Sequence, residues 1–390
     1  MTSRQLYLDL DGGLSRPHSS KVAAAIAKLS AASGTESRGA IFTRAEVVEF
    51  ILDLVGYTED QPLAQKRLLE PSFGGGDFLL PAVGRLLRAW RAGSGNKSAP
   101  EDLGEAIRAV ELHRETFDAT HDALVALLGR EGLAQKAALT LADRWLTHDD
   151  FLLARLGGEF DFVIGNPPYV RQEMIPAALL QEYRSRYPTM YDRADLYVPF
   201  IERSLSVLSP GGSLSFICAD RWMKNRYGGP LRSLVAEQFH LKIHIDMVGT
   251  PAFHSDVIAY PAITVINRET PGTTRIAHRP AIDRGFLSKL AATLRADHLP
   301  KDCTTVRELA GVTDGAEPWL LESADQMALI RRLERQFPTL QEAGCTVGIG
   351  VATGADKAFI GDFESLDVEA DRKLPLVTTR DIASGEVNWQ

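Results

Sequence analysis

The sequence predicts an α/β protein with a doubly wound, mostly parallel sheet, followed by the start of a second domain. Strand-like and helix-like apolar patterns alternate from Gly39 onward, as crossover units on one sheet require. A glycine loop, Ser72-Phe73-Gly74-Gly75-Gly76, joins a short apolar strand to an apolar helix. A second apolar strand runs straight into the rigid turn Asn166-Pro167-Pro168-Tyr169, and strand-end loops of such sheets are where ligands bind.

With 390 residues, 45% of them hydrophobic, the chain can bury a large core and carry a second unit. No stretch approaches the roughly 20 apolar residues of a membrane span. The opening MTSRQLYLDLDGG also lacks the basic-then-apolar layout of a signal peptide, so the expected compartment is the cytoplasm. Cys218, Cys303 and Cys345 have neither zinc-site nor disulfide-framework spacing, and no metal is expected. The net charge of −8 weighs against a nucleic-acid partner, although a basic cleft can coexist with an acidic exterior.

Residues 1–38 read as a helical extension, with a peripheral alanine-rich helix around 21–32. Thr43 is a good N-cap for a helix bearing Val47, Val48, Phe50, Ile51, Leu52 and Leu54. A strand near 67–70, the glycine loop, a helix over 79–90, a polar linker at 93–100 and a strand near 106–111 follow. A helix over 117–128, a short strand near 138–141 and the strand 160–164 continue the alternation. Strands at 213–218 and 241–247 precede 262–266, a late hairpin strand closing the sheet, so the first domain, 39–280, ends there. Residues 281–345 form a helical connector, clearest at 283–295 and 323–335. The glycines and β-formers of 346–390 mark a second domain that the sequence is expected to cut short.

The sharpest signal is Asn166-Pro167-Pro168-Tyr169, expected by chance in on the order of one chain in a thousand. An exocyclic amino group conjugated to an aromatic ring is a poor nucleophile and gains positive charge as it attacks a sulfonium methyl. The Asn166 side-chain oxygen and the Pro167 carbonyl can hold its hydrogens and stabilise that charge without a strong base. The two prolines lock this geometry, and Tyr169 offers a face for the target ring.

The glycine loop allows close backbone approach to a ligand in front of a helix N-terminus. Glu70 ends the strand before it, and Glu111 ends the next predicted strand, where an acid can accept bonds from ribose hydroxyls. Asp150 lies beyond the third strand and can accept a bond from an adenine amino group.

With these motifs in this order, the chain resembles the γ group of DNA adenine-N6 methyltransferases from restriction-modification and phage-defence systems. In that group the cofactor motifs precede the catalytic motif, and a target-recognition domain follows. The resemblance covers roughly 39–247 and, more loosely, the remainder to 390. It implies a Rossmann-like, seven-stranded, mostly parallel sheet with a late antiparallel hairpin strand. It also implies S-adenosyl-L-methionine as cofactor and double-stranded DNA as substrate, with the target adenine flipped out of the helix. A restriction or defence-system partner subunit is compatible with it.

Carried over by position, Thr43, Glu70, Ser72, Phe73 and Gly74 would line the methionine moiety, although Phe73 stands where the family has a small residue. Glu111 would bind the ribose, with Leu112 against the adenine, and Asp150 the adenine amino group, with Phe151 beside it. Phe200, in 195–200, would lie near the same ring, though an apolar helix face also explains it. Asn166, Pro167 and Tyr169 would be catalytic. Pro168 and Phe253 would complete the target-base pocket with Phe253 opposite Tyr169, unless Phe253 is a core aromatic.

Arg171 opens an insert, 171–193, whose arginines and tyrosines suit either a strand-gripping loop or a plain exposed one. Arg221, Trp222, Lys224, Asn225 and Arg226, just past a strand end, are candidate DNA contacts, or else a solvated loop. A glutamine-N5 protein methyltransferase shares the Asn-Pro-Pro-Tyr logic, but the motif around Thr43 and the long stretch after Tyr169 favour DNA. A non-catalytic recognition subunit is the third reading. A fused nuclease finds no acidic-acidic-Lys cluster in the N-terminal segment.

Overall fold

The computed structural model describes residues 20–31, 41–93, 98–254, 260–319 and 321, and parts of 329–377. Met1–Ala324 and Asp325–Gln390 are separate compact units. In the first, the strands are β1 (Leu68–Glu70), β2 (Ile107–Glu111), β3 (Leu146–His148), β4 (Phe160–Gly165) and β5 (Leu208–Ala219). They continue with β6 (His240–Asp246), β7 (Pro261–Asn267), β8 (Thr274–His278) and β9 (Arg307–Leu309). The helices are α1 (Ser20–Ser30), α2 (Ala45–Val55), α3 (Leu79–Ala92), α4 (Ala99–Leu103), α5 (Arg114–Arg130) and α6 (Gln135–Trp145). After these come α7 (Ala177–Arg186), α8 (Tyr197–Ser206), α9 (Arg221–Lys224), α10 (Gly229–Gln238) and α11 (Arg284–Arg295).

One sheet carries the strands in the order β3-β2-β1-β4-β5-β7-β6-β8-β9. β1 to β5 are parallel, and β7 enters antiparallel between β5 and β6, the late hairpin strand that the sequence predicts. The sheet has nine strands rather than seven, because β8 adds parallel to β6 and β9 antiparallel to β8. Helices cover both faces, so Leu68, Leu69, Val163 and Ile164 are all fully buried and the central strands show continuous apolar runs instead of alternation.

Several elements differ from the sequence reading. The strand expected at 138–141 is helix α6, with Ala138, Leu141, Ala142 and Trp145 buried at helical spacing; β3 follows it. Thr43 does not cap α2: Arg44 holds that position, and no side chain caps the helix. The boundary placed near 280 falls inside the fold, because β9 lies beyond it in the same sheet and α11 packs on α2. The helix expected at 323–335 and the β-rich stretch from 346 fall mostly outside the described residues. Those described in the second unit include a short helix, Asp356–Phe359.

Two predicted loops or peripheral pieces turn out to be structural. The insert 171–193 contains α7, with Leu179, Tyr183, Tyr187 and Met190 buried, so it is not a loose gripping loop. Helix α1 buries Val22 and Ala25 and packs on α7, and Ser30 Oγ bonds His148 Nε2 at 3.2 Å.

Between β5 and α10 the chain is braced from downstream. Trp319, 1% exposed, packs edge-on against Trp222 at 5.5 Å and donates its backbone N–H to the Met223 carbonyl at 2.8 Å. The buried Arg232 guanidinium donates from Nε to the Ala316 carbonyl at 2.8 Å and from Nη1 to the Asn225 carbonyl at 2.8 Å. Trp319→Ala should therefore lower unfolding free energy by about 3–5 kcal/mol, the cost of emptying a large aromatic site. Urea denaturation measures this, and a loss below about 1 kcal/mol would show that the brace carries little.

Candidate functional site

β1 and β4 pair where the strand order reverses, Leu69 opposite Val163, so the loops after them open side by side at one sheet edge. Between these loops lies a solvent-open cleft with about 1280 Å³ of space free of protein atoms. Thr43, Glu70, Ser72, Phe73, Gly74, Glu111, Leu112, Asp150, Phe151 and Phe200 all line it, together with Asn166 and Pro168. Residues scattered over more than 150 positions in sequence thus meet because four strand ends converge.

The glycine loop is held by the neighbouring strand. Gly74, at φ +48°, aims its N–H at Glu111 Oε2, 2.9 Å away, while its carbonyl accepts Thr120 Oγ1 at 2.7 Å. Glu111 Oε1 accepts the His113 N–H at 2.8 Å, so one carboxylate ties the two loops together. Gly76, at φ +86°, completes the turn with side chains packed too close around it for a Cβ to enter freely. Phe73 fits where a small residue is usual because its ring turns into the core, 5.8 Å from Phe117, leaving the loop backbone to face the cleft.

The cleft is acidic at depth. Burial, with Asp77 and Glu111 adding to it, holds the Glu70 carboxyl well above the usual carboxylate range, and its Oε2 has no hydrogen-bond partner among the described residues. Asp77, raised in the same way by burial, accepts the Thr43 N–H at 3.0 Å. A cationic ligand placed here would favour the ionised forms that burial disfavours.

At the other end Asp150 is 3% exposed, accepts the Leu152 N–H at 2.8 Å on Oδ1, and takes the Tyr183 hydroxyl on Oδ2. Burial lifts its pKa from 3.8 to about 6 against those hydrogen bonds. A carboxyl raised on folding binds more protons in the native state, so Asp150 should make the ligand-free protein lose stability as pH rises from about 4 to about 6. Phe151 and Phe200 lie beside it in mutual contact, ring centroids 4.9 Å apart and tilted by 44°, an aromatic wall against which a flat ring can lie.

Asn166 lines the cleft just after β4. Its Nδ2 donates to the Ile41 carbonyl at 2.9 Å and to Thr43 Oγ1 at 3.3 Å. A carbonyl can only accept, so the Ile41 contact settles which end of the amide is nitrogen. Oδ1 is left buried with no partner among the described residues. An orphaned buried acceptor costs free energy in the resting protein, and such strain points to a ligand that uses it.

The family model for the Eco57I restriction-modification methylase matches residues 48–253, from α2 through both loops. The chain belongs to that family. Among curated relatives of this chain, Type II methyltransferase M.PaeR7I of Pseudomonas aeruginosa is 74% identical over 369 residues, covering 95% of this chain and 64% of that protein. Type II methyltransferase M.XhoI of Xanthomonas vasicola is 55% identical over 360 residues, covering 91% of this chain and 66% of that protein. The chain therefore spans about two thirds of the length of these relatives. In fold it is similar to the type IIG restriction endonuclease BpuSI, with a TM-score of 0.51 and 14% identity over 84% of this chain and 39% of that one. DrdV in complex with DNA gives a TM-score of 0.51 and 15% identity over 75% of this chain and 32% of that one.

Other site residues expected from the sequence fall less neatly. Pro167 is buried, and Tyr169 is half-buried with its hydroxyl 3.5 Å from the Ile217 carbonyl; both border the cleft without lining it. Phe253 is not brought to the cleft opposite Tyr169: it is 8% exposed in the core packed around α2, and its backbone bridges Thr43. Trp222 is no surface contact either, being fully buried against Trp319 because one face of the short helix α9 is turned inward. Arg171, Arg221, Lys224, Asn225 and Arg226 are exposed. Arg171 and Arg221 both act on the Asp195 carboxyl, which burial raises and they lower, so the two arginines share one patch.

Sequence reasoning missed Asp77 and Tyr183. Asp77 directly follows the third loop glycine, an acid in a position that could have been noticed. Tyr183 reaches the cleft only through the packing of α7, and nothing local announces it. No group of three or more possible metal ligands occurs among the described residues, and none of their helices is long and apolar enough to cross a membrane.

Proposed function

We propose that the protein is a Type II DNA methyltransferase that moves a methyl group from S-adenosyl-L-methionine to adenine N6 in double-stranded DNA. The carrying observation is the Asn166 amide, with its nitrogen anchored on Ile41 and Thr43 and its oxygen left buried and unpartnered among the described residues lining the cleft. The cleft behind it fits the cofactor: the Phe151–Phe200 aromatic wall and Asp150 suit an adenine, the Glu111 carboxylate a ribose, and the Glu70–Asp77 end a cation. Bound there, S-adenosylmethionine supplies an electrophilic methyl on a positively charged sulfur.

The protein's own groups do the rest. The Asn166 oxygen and the Pro167 carbonyl accept the two hydrogens of the adenine amino group, draw its nitrogen toward tetrahedral geometry and stabilise the charge it gains. The excess proton then leaves to water, so no side chain need act as a strong base. Because the amino group is buried in a duplex, the base must be extruded; Pro168 and Tyr169 form the platform beside Asn166 that receives it. The exposed Arg171 follows the end of β4, and Arg221, Lys224, Asn225 and Arg226 lie on and just after α9, which follows the end of β5; all suit phosphate and base contacts. A cytoplasmic setting and a cognate restriction partner complete the reading.

The test is transfer of labelled methyl from S-adenosylmethionine to duplex DNA, with nucleoside analysis of the product. Label in N6-methyladenine is the expected result. Label in protein, or in another base, would replace the adenine assignment.

A further inference from the structure

We infer that Tyr183, carried by α7, is a positioning residue that aims Asp150 at the cofactor's adenine amino group and so sets selectivity for a 6-amino purine. This rests on the cofactor reading above.

The geometry is specific. Tyr183 is 3% exposed, lines the cleft and donates its hydroxyl to Asp150 Oδ2, while the Leu152 N–H holds Oδ1 at 2.8 Å. Two fixed donors set the rotation of the carboxylate and leave one lone pair on each oxygen for an incoming N–H. The loop is clamped again one helical turn along, where Tyr187 donates its hydroxyl to the Leu152 carbonyl at 2.6 Å. Arg203 of α8 bonds both the Tyr187 hydroxyl, at 3.2 Å, and the Ala154 carbonyl. The loop after β3 is thus held from two helices, and one of them lies in the 171–193 insert outside the recognised motifs.

The electrostatics agree in sign. Burial and the Asp150 charge hold the Tyr183 phenol well above its ordinary pKa, so it remains a donor. Burial raises Asp150, and Asp149 adds to that, while the Tyr183 and Leu152 hydrogen bonds and Arg203 lower it; the Tyr187 hydroxyl also faces it. Removing the Tyr183 hydroxyl takes a stabilising bond from the ionised carboxylate, and its pKa must rise. The acceptor needed for an amino group would then be lost at a higher pH.

Calorimetric titration of the whole chain with S-adenosylhomocysteine and with its 6-oxo analogue S-inosylhomocysteine, from about pH 5 to about pH 8, tests this. Tyr183→Phe is expected to weaken S-adenosylhomocysteine about tenfold at pH 7, the worth of one charged hydrogen bond. It should also move the pH midpoint of binding upward and narrow the preference over the 6-oxo ligand. Asp150→Asn should abolish the midpoint, and Tyr183→Phe added to it should change little further. Equal weakening of both ligands with an unmoved midpoint, or additive losses in the double variant, would overturn the proposal and leave Tyr183 as packing alone. If the wild-type chain binds neither ligand, the cofactor reading itself falls.

Discussion

Asn166→Ala is expected to lower the rate of methyl transfer by about 10²–10³-fold, the scale seen when one preorganised group facing developing charge is removed. Affinity for S-adenosylhomocysteine should stay within about threefold, because the proposed mechanism assigns Asn166 to the target amino group and not to the cofactor. Stability should change by no more than about 1 kcal/mol, since the variant deletes a buried acceptor that lacks a partner together with the amide bonds to the Ile41 carbonyl and Thr43. Single-turnover kinetics and thermal denaturation check the two halves. Asn166→Asp is the sharper control: it sets an oxygen against the Ile41 carbonyl 2.9 Å away and should destabilise by about 1–3 kcal/mol. A transfer rate in Asn166→Ala within tenfold of wild type would remove Asn166 from the chemistry.

Glu111→Gln is the second large effect. Both carboxylate oxygens accept backbone N–H groups, Gly74 at 2.9 Å and His113 at 2.8 Å. The amide keeps one oxygen and turns an NH2 toward the other donor, so one charge-assisted bond is lost and two donors face each other. The glycine loop should come free of β2, and cofactor affinity should fall about 100-fold, equivalent to roughly 2.7 kcal/mol. Equilibrium binding of S-adenosylhomocysteine reads it out. An unchanged affinity would mean that the loop is held without Glu111 and that the ribose assignment is wrong.

The fold was legible where covalent geometry and burial leave a local imprint. Strands buried on both faces read as apolar runs, and helix α2 read as a stripe, because burial acts residue by residue. The stretch 138–141 misled because a few apolar residues are compatible with either period, and only the packing of Trp145 at the helix end decides the matter. The last two strands were illegible because β8 and β9 are short and add at the sheet edge, beyond where the recognised pattern stops.

The sequence by itself determined the two loops that border the cleft. Asn166-Pro167 is stiff through its own covalent structure, and the glycine loop carries its permissive backbone in its composition, so both could be named without coordinates. Tertiary structure alone decided the rest. It turned Trp222 and Phe253 inward, because aromatic burial depends on what lies opposite. It put Tyr183 on Asp150 and left the Asn166 oxygen without a partner, because a hydrogen bond between residues 33 apart, or the lack of one, exists only once the helices are packed.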